Sequence, residues 1–134
     1  MILKVFSDGA SRGNPGEAGC GFVILNGEGE LLEEGCLYIG HATNNVAEYR
    51  AVLEAARKAK LRNPAAVNFY LDSELIVKQM KGEYKVKNET LAQMRLELIK
   101  TIEGTKFSFN HVPREQNKLA DKLANKAIDN KVMA

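Results

Sequence analysis

The sequence predicts an α/β fold: a five-stranded mixed sheet, its first three strands an antiparallel meander, with helices on both faces. Three observations carry this. Apolar runs separated by turn residues fill the first third of the chain. At Asn45 the apolar period changes from that of a strand to that of a helix. From there strands and helices alternate, giving the order β-β-β-α-β-α-α-β-α, which favours parallel crossovers.

Ile2 to Ser7 reads as the first strand, and the turn-rich stretch Gly9-Ala-Ser-Arg-Gly-Asn-Pro-Gly16 as a loop that no regular element would tolerate. Cys20 to Leu25 is the second strand. Asn26-Gly27-Glu28-Gly29 makes a hairpin turn into the third, Leu31 to Ile39. Val46, Ala47, Tyr49, Val52, Leu53 and Ala56 form the buried stripe of a first helix, which Asn63-Pro64 stops. Val67 to Leu71 is the fourth strand. Ser73 caps a second helix through Leu75, Ile76, Gln79 and Met80, ended by Gly82. Asn88 or Thr90 starts a third helix on Leu91, Met94, Leu98, Ile99 and Ile102, closed by Gly104. Phe107 to Val112 is the fifth strand, and a last helix runs from about Glu115 to Asp129 on Leu119, Ala120, Leu123 and Ala127.

At 134 residues the chain reads as a single domain over 1–134, with 45% apolar and 27% charged residues, as in an ordinary soluble protein. The formal charge of +2 does not by itself announce nucleic acid. Cys20 and Cys36 lie in apolar surroundings without CxxC spacing, so both read as buried reduced thiols. MILKVFSDG is too short and too charged for a secretory signal, and no segment approaches the roughly 20 apolar residues of a membrane span. A cytoplasmic protein is expected.

Two aspartates close two apolar runs: Asp8 precedes Gly9, and Asp72 precedes Ser73. On neighbouring strands they would sit side by side at one sheet edge, where sites collect in open α/β sheets. Two carboxylates about 4 Å apart repel by roughly 4 kcal/mol at an effective dielectric of about 20, and a divalent cation relieves them. Among the 17 acidic residues, Glu48 and Asp121 also stand out, because each falls among apolar helix positions.

Asp8-Gly9-Ala-Ser-Arg-Gly-Asn-Pro-Gly16, Thr43-Asn44-Asn45-Val-Ala-Glu48, Asp72-Ser73 and His111-Val-Pro-Arg-Glu-Gln-Asn117-Lys-Leu-Ala-Asp121 occur in this order. Together they resemble type 1 ribonuclease H, from end to end of the chain. The resemblance implies a ribonuclease H-like fold and a four-carboxylate set of Asp8, Glu48, Asp72 and Asp121. That set would bind two Mg²⁺ ions, with Mn²⁺ as a substitute, and hydrolyse the RNA strand of an RNA/DNA hybrid to 5′-phosphate and 3′-hydroxyl ends. His111 matches the family's mobile-loop histidine, placed to move protons or help product leave.

Arg12, Asn14, Thr43, Asn44 and Asn45 are polar residues beside the expected metals, and the three asparagines resemble the family's minor-groove contacts. Gly9 and the glycines after it would permit a tight turn and close approach of a nucleic-acid backbone. Ser73 adjoins Asp72, and Asn117 matches a family position that serves substrate contact, helix capping or loop bracing. Lys78, Lys81, Lys85 and Lys87 surround Tyr84, an aromatic among cations suited to a DNA strand. Arg114, Lys118, Lys122 and Lys126 recur every four residues as a basic stripe on the last helix. The chain has no Trp and departs from the best-known bacterial pattern, which inserts a helix and a tryptophan-rich basic protrusion after the second helix. The expected partner is an RNA/DNA hybrid, with double-stranded RNA as a second duplex. No membrane or obligate protein partner is expected, and the protein reads as a monomer. Two other readings are a catalytically silent hybrid or double-stranded RNA binding domain of the same fold, and a related nuclease or transferase acting on DNA. The four carboxylates disfavour the first; the asparagines and the family resemblance disfavour the second.

Overall fold

The computed structural model describes residues 1–132. The strands are β1 (Ile2–Arg12), β2 (Gly16–Leu25), β3 (Leu31–Ala42), β4 (Ala66–Leu71) and β5 (Lys106–His111). The helices are α1 (Asn44–Lys60), α2 (Glu74–Met80), α3 (Glu89–Ile102) and α4 (Lys118–Asn130). They follow the predicted order. The sheet runs β3-β2-β1-β4-β5, antiparallel through β3, β2 and β1 and parallel through β1, β4 and β5.

Alternation along the strands separates the two faces. Leu3, Val5, Val67, Phe69 and Leu71 point toward α1, α2 and α3 and are buried with Tyr49, Val52, Ile76 and Leu98. Each such side chain contributes roughly 1.5–3 kcal/mol by leaving water. α4 covers the opposite face over β2, β1 and β3. Its approach is close because Gly21 faces it: a Cβ there would lie 2.6 Å from the Ala120 carbonyl oxygen and from the Ala124 nitrogen. The small residues Ala120, Ala124 and Ala127 complete that contact.

The Gly9–Gly16 stretch is not the irregular loop its composition predicts. β1 continues through Arg12, β2 begins at Gly16, and the turn is confined to Gly13-Asn14-Pro15. Gly9 answers to tertiary packing: a Cβ there would lie 2.2 Å from the carbonyl carbon of Ala47 in α1. The backbone of α1 packs against Gly9. The other corrections share an origin in packing. The predicted last helix is split, with a 3₁₀ turn at Arg114–Gln116 and then α4, because Asn117 leaves helical geometry at φ −117° and ψ 23°. Leu119, predicted in the buried stripe, is 45% exposed, as is Leu75 in part, since α4 and α2 each turn only a narrow side to the core. Cys36 is only half-buried, because β3 is an edge strand; Cys20 is buried, and both are free thiols. Among the described residues no helix is long and apolar enough to cross a membrane.

Candidate active site

The parallel ladder between β1 and β4 ends at Phe6–Tyr70. Beyond it β4 turns away at Asp72-Ser73 into α2, while β1 continues along β2. That divergence opens a crevice at the carboxyl end of β4, where an open α/β sheet places its ligands. Asp8 lies on the β1 side of it, two residues past the ladder, and Asp72 on the β4 side. Asp8 is thus within β1, where the sequence had put it at a strand end.

Glu48 enters from the first turns of α1. Thr43 caps this helix, its Oγ1 accepting from the Val46 N–H at 3.2 Å, which fixes Glu48 over the sheet edge. Carboxylate oxygens of Asp8, Glu48 and Asp72 all lie within 4.8 Å of one another. Asp8 is 5% exposed and Glu48 9%. Burial, first, and then the neighbouring acids raise the Asp8 pKa from 3.8 to about 7, although its hydrogen bond with Glu48 works the other way. Burial and the charge of Asp8 likewise hold Glu48 well above the usual carboxylate range, partly offset by a hydrogen bond from the Gly9 backbone. Glu48 Oε2 is buried with no hydrogen-bond partner. A buried, unpartnered acceptor facing two further carboxylates is a donor set for a hard divalent cation.

The triad opens into a polar cavity of about 360 Å³, also lined by Ser11, Asn44, Asn45, Ser73, Arg114 and Asp121. Asp121 stands on the exposed side of α4, outside the triad but near enough to act on Asp8. Ser73 caps α2, its Oγ accepting from the Ile76 N–H. Asn44 and Asn14 lock the rim: the Ser11 N–H donates to Asn44 Oδ1 at 3.1 Å, and the Asn44 N–H donates to Asn14 Oδ1 at 3.0 Å.

Gly9 lines the cavity as well, whereas Arg12, His111, Tyr84 and Asn117 fall outside its lining. The Arg12 guanidinium is engaged by Asp129, at 2.5 Å, and by Asn125, tying the β1–β2 turn to α4. His111 is exposed at the end of β5, paired with Leu71, the residue before Asp72. Tyr84 stands in the segment between α2 and α3, with Lys78 Nζ 4.9 Å above its ring and held there by Glu74. Asn117 is 1% exposed, so its place is structural: Nδ2 donates to the Ser7 carbonyl at 2.8 Å and to Asp72 Oδ2 at 3.0 Å. It stands at the N-cap of α4, but its side chain makes no cap hydrogen bond and instead braces Asp72 against β1. Sequence reasoning gave Arg114 to the turn that bends the His111 loop and to a basic helix stripe, not to the site; its place in that turn was the signal that it could face the cavity.

The chain matches the Reverse transcriptase-like family over residues 6–127. It is 40% identical over 128 residues to Ribonuclease HI of Halobacterium salinarum, covering 95% of this chain and 64% of that protein. It is 34% identical over 144 residues to Ribonuclease H of Ralstonia nicotianae, covering 95% and 91%. Among solved structures, LC11-RNase H1 in complex with RNA/DNA hybrid superimposes with a TM-score of 0.92 at 41% identity, covering 96% of this chain and 98% of that one. The chain belongs to the type 1 ribonuclease H family. As a ribonuclease H fold it is compact between α2 and α3, which are joined by a segment without helix. The chain spans less than two thirds of the halobacterial relative, and only 36% of a bifunctional protein of Mycobacterium tuberculosis that is 37% identical over 131 residues.

Proposed function

We propose that this chain is an endonuclease that hydrolyses the RNA strand of RNA/DNA hybrids and leaves 5′-phosphate and 3′-hydroxyl ends. The observation that carries the reading is the convergence of Asp8, Glu48 and Asp72 within 4.8 Å of one another, with Glu48 Oε2 unpartnered, in a polar cavity. The hybrid complex of LC11-RNase H1 supports the choice of substrate.

Asp8, Glu48 and Asp72, with Asp121 at the rim, would hold two divalent ions, Mg²⁺ with Mn²⁺ as a substitute, since all the donors are hard oxygens. When bound, a pair of such ions supplies an activated water and charge stabilisation for in-line displacement at phosphorus. Asn117 keeps Asp72 in place, and the Gly9 N–H does the same for Glu48, so the donors need little rearrangement. His111, exposed beside the crevice, takes or delivers a proton as product leaves. Asn44, Asn45 and the free amide of Asn14 read the minor groove, whose 2′-hydroxyls distinguish RNA from DNA. Tyr84, with Lys85 and Lys87, contacts the DNA strand.

The test is cleavage of end-labelled RNA/DNA hybrid, RNA duplex and DNA duplex in Mg²⁺, Mn²⁺ and EDTA. Metal-dependent cutting of the hybrid RNA strand is expected, with Asp8→Asn and Asp72→Asn inactive though folded. Cyclic phosphate ends, or near-normal activity in either variant, would sink the reading.

A further inference from the structure

α4 carries three lysines and two aspartates, and the aspartates do not neutralise the lysines. Asp129 is engaged by Arg12. Asp121 accepts from Asn125 and faces Asp8. Lys118, Lys122 and Lys126 are exposed and take part in no ion pair or hydrogen bond among the described residues. Their spacing places them on one face at steps of about 6 Å along the helix axis. Like charges four residues apart destabilise a helix by roughly 0.2–0.5 kcal/mol per pair. No ion pair of the three lysines with a carboxylate offsets that repulsion among the described residues. The other face of α4 is packed against the sheet, so the row looks outward.

The row also has a direction. Lys118 lines a second, open cavity with Arg114, Glu115 and Asp121, and Arg114 and Asp121 also line the cavity of the carboxylate triad. The cationic line therefore starts at the rim of the acidic crevice and runs away from it along α4. A strand of phosphates that enters the crevice has to leave it, and cations at regular intervals on a rigid element suit a regular polyanion better than a single anion.

We propose that Lys118, Lys122 and Lys126 form a phosphate track on α4 that holds the flank of the bound hybrid outside the crevice. It is separate from the Tyr84 segment, which stands on the far side of the site between α2 and α3. The proposal rests on the nuclease reading for the identity of the polyanion.

Binding is measured on fluorescent hybrids of short and long flank in EDTA, where no cutting occurs, across about 50 to 200 mM salt. Each phosphate contact contributes about 0.9 to the slope of log K against log salt. The triple variant Lys118→Gln/Lys122→Gln/Lys126→Gln should lower the slope by about 2 or more and weaken binding of the long hybrid roughly tenfold. It should also lose the preference for the long flank. Gln matches Lys in helix propensity, so the fold is kept and the Tm should not fall. The triple Lys→Arg variant should bind like the wild type. Lys58→Gln/Lys100→Gln/Lys106→Gln removes the same charge far from the crevice and should leave slope and affinity unchanged. A track variant within twofold of the wild type in affinity, with an unchanged slope, overturns the proposal; so does an equal loss in the distant triple. Cleavage by the wild type in Mg²⁺ is scored in parallel. Its failure refutes the nuclease reading, while the EDTA titration still decides the track.

Discussion

The carboxylate triad should make the metal-free protein less stable as pH rises, and Asp8→Asn should remove that loss. Burial raises the Asp8 pKa from 3.8 to about 7, with Asp72 and Asp121 adding to it, so the folded state keeps a proton that the unfolded chain releases. A carboxyl raised in this way contributes stability that is complete below about pH 4 and is lost as pH climbs through about 7. The interval of about three pH units, at roughly 1.4 kcal/mol each, sets a ceiling of about 4 kcal/mol. Glu48 is raised too and shares a hydrogen bond with Asp8, so the loss belongs to the pair. Water entry and relaxation reduce it to about 2 kcal/mol, or roughly 6–10 °C in Tm for a chain of this size. Glu17, Glu74 and Asp129 have lowered pKa values from ion pairs; their contributions are lost only as pH falls below the usual carboxylate range and leave this window untouched. Calorimetry in EDTA should show the wild-type Tm falling between about pH 5 and 8. Asp8→Asn should change far less and should exceed the wild type at the upper end. Mg²⁺ should restore stability most where the carboxylates are ionised. A wild-type Tm flat across this range, or Asp8→Asn less stable than the wild type at about pH 8, would refute the reasoning.

Asn117→Ala removes two hydrogen bonds, one of them to a carboxylate; urea unfolding should register a loss of about 2–3 kcal/mol, and turnover should fall at least roughly tenfold as Asp72 loosens. His111→Ala should slow cleavage on the order of a hundredfold without abolishing it, read as turnover of labelled hybrid in Mg²⁺. Glu48→Gln should lower kcat by about 10²–10³ while circular dichroism stays unchanged, and isothermal titration with Mg²⁺ should show weakened binding. Gly21→Ala forces a Cβ against the Ala120 and Ala124 backbone, so thermal unfolding should report about 1–3 kcal/mol of destabilisation as α4 is pushed off the sheet.

Element order was legible because it follows from local periodicity, which tertiary packing rarely reverses. Element ends were not. Gly9 and Gly16 read as loop markers, yet both sit in strands; Gly9 is required by a helix that lies elsewhere in the sequence. The carboxylates divide in the same way. Asp8 and Asp72 were visible from their own strands, whereas Glu48 on α1 needed the helix to be laid across the sheet before its aim could be known. Asn117 shows the limit most plainly. Its partners, Ser7 and Asp72, are 110 and 45 residues away in sequence, and no spacing rule reaches that far. Arg12 meets the same limit: its ion-pair partner, Asp129, is 117 residues away in sequence.

Local rules are broken in one place, and the break has a direction. Of the four buried side-chain polar atoms without partners among the described residues, Ser7 Oγ, Glu48 Oε2 and Asn117 Oδ1 lie in or beside the triad, and only Arg62 Nε lies elsewhere. Buried like charges and orphaned acceptors persist only where surrounding structure over-determines them. Here the determinants are nameable: Leu3, Val5, Phe69 and Leu71 fix β1 and β4 from below, Thr43 fixes the start of α1, and Asn117 ties Asp72 to β1. Asp121, on an exposed helix face, is restrained only by the Asn125 amide one turn along α4. The site is therefore asymmetric before any ion arrives. Three carboxylates, Asp8 and Glu48 buried and Asp72 half-buried, converge in the crevice, and a fourth, on an exposed helix face, stands at its rim.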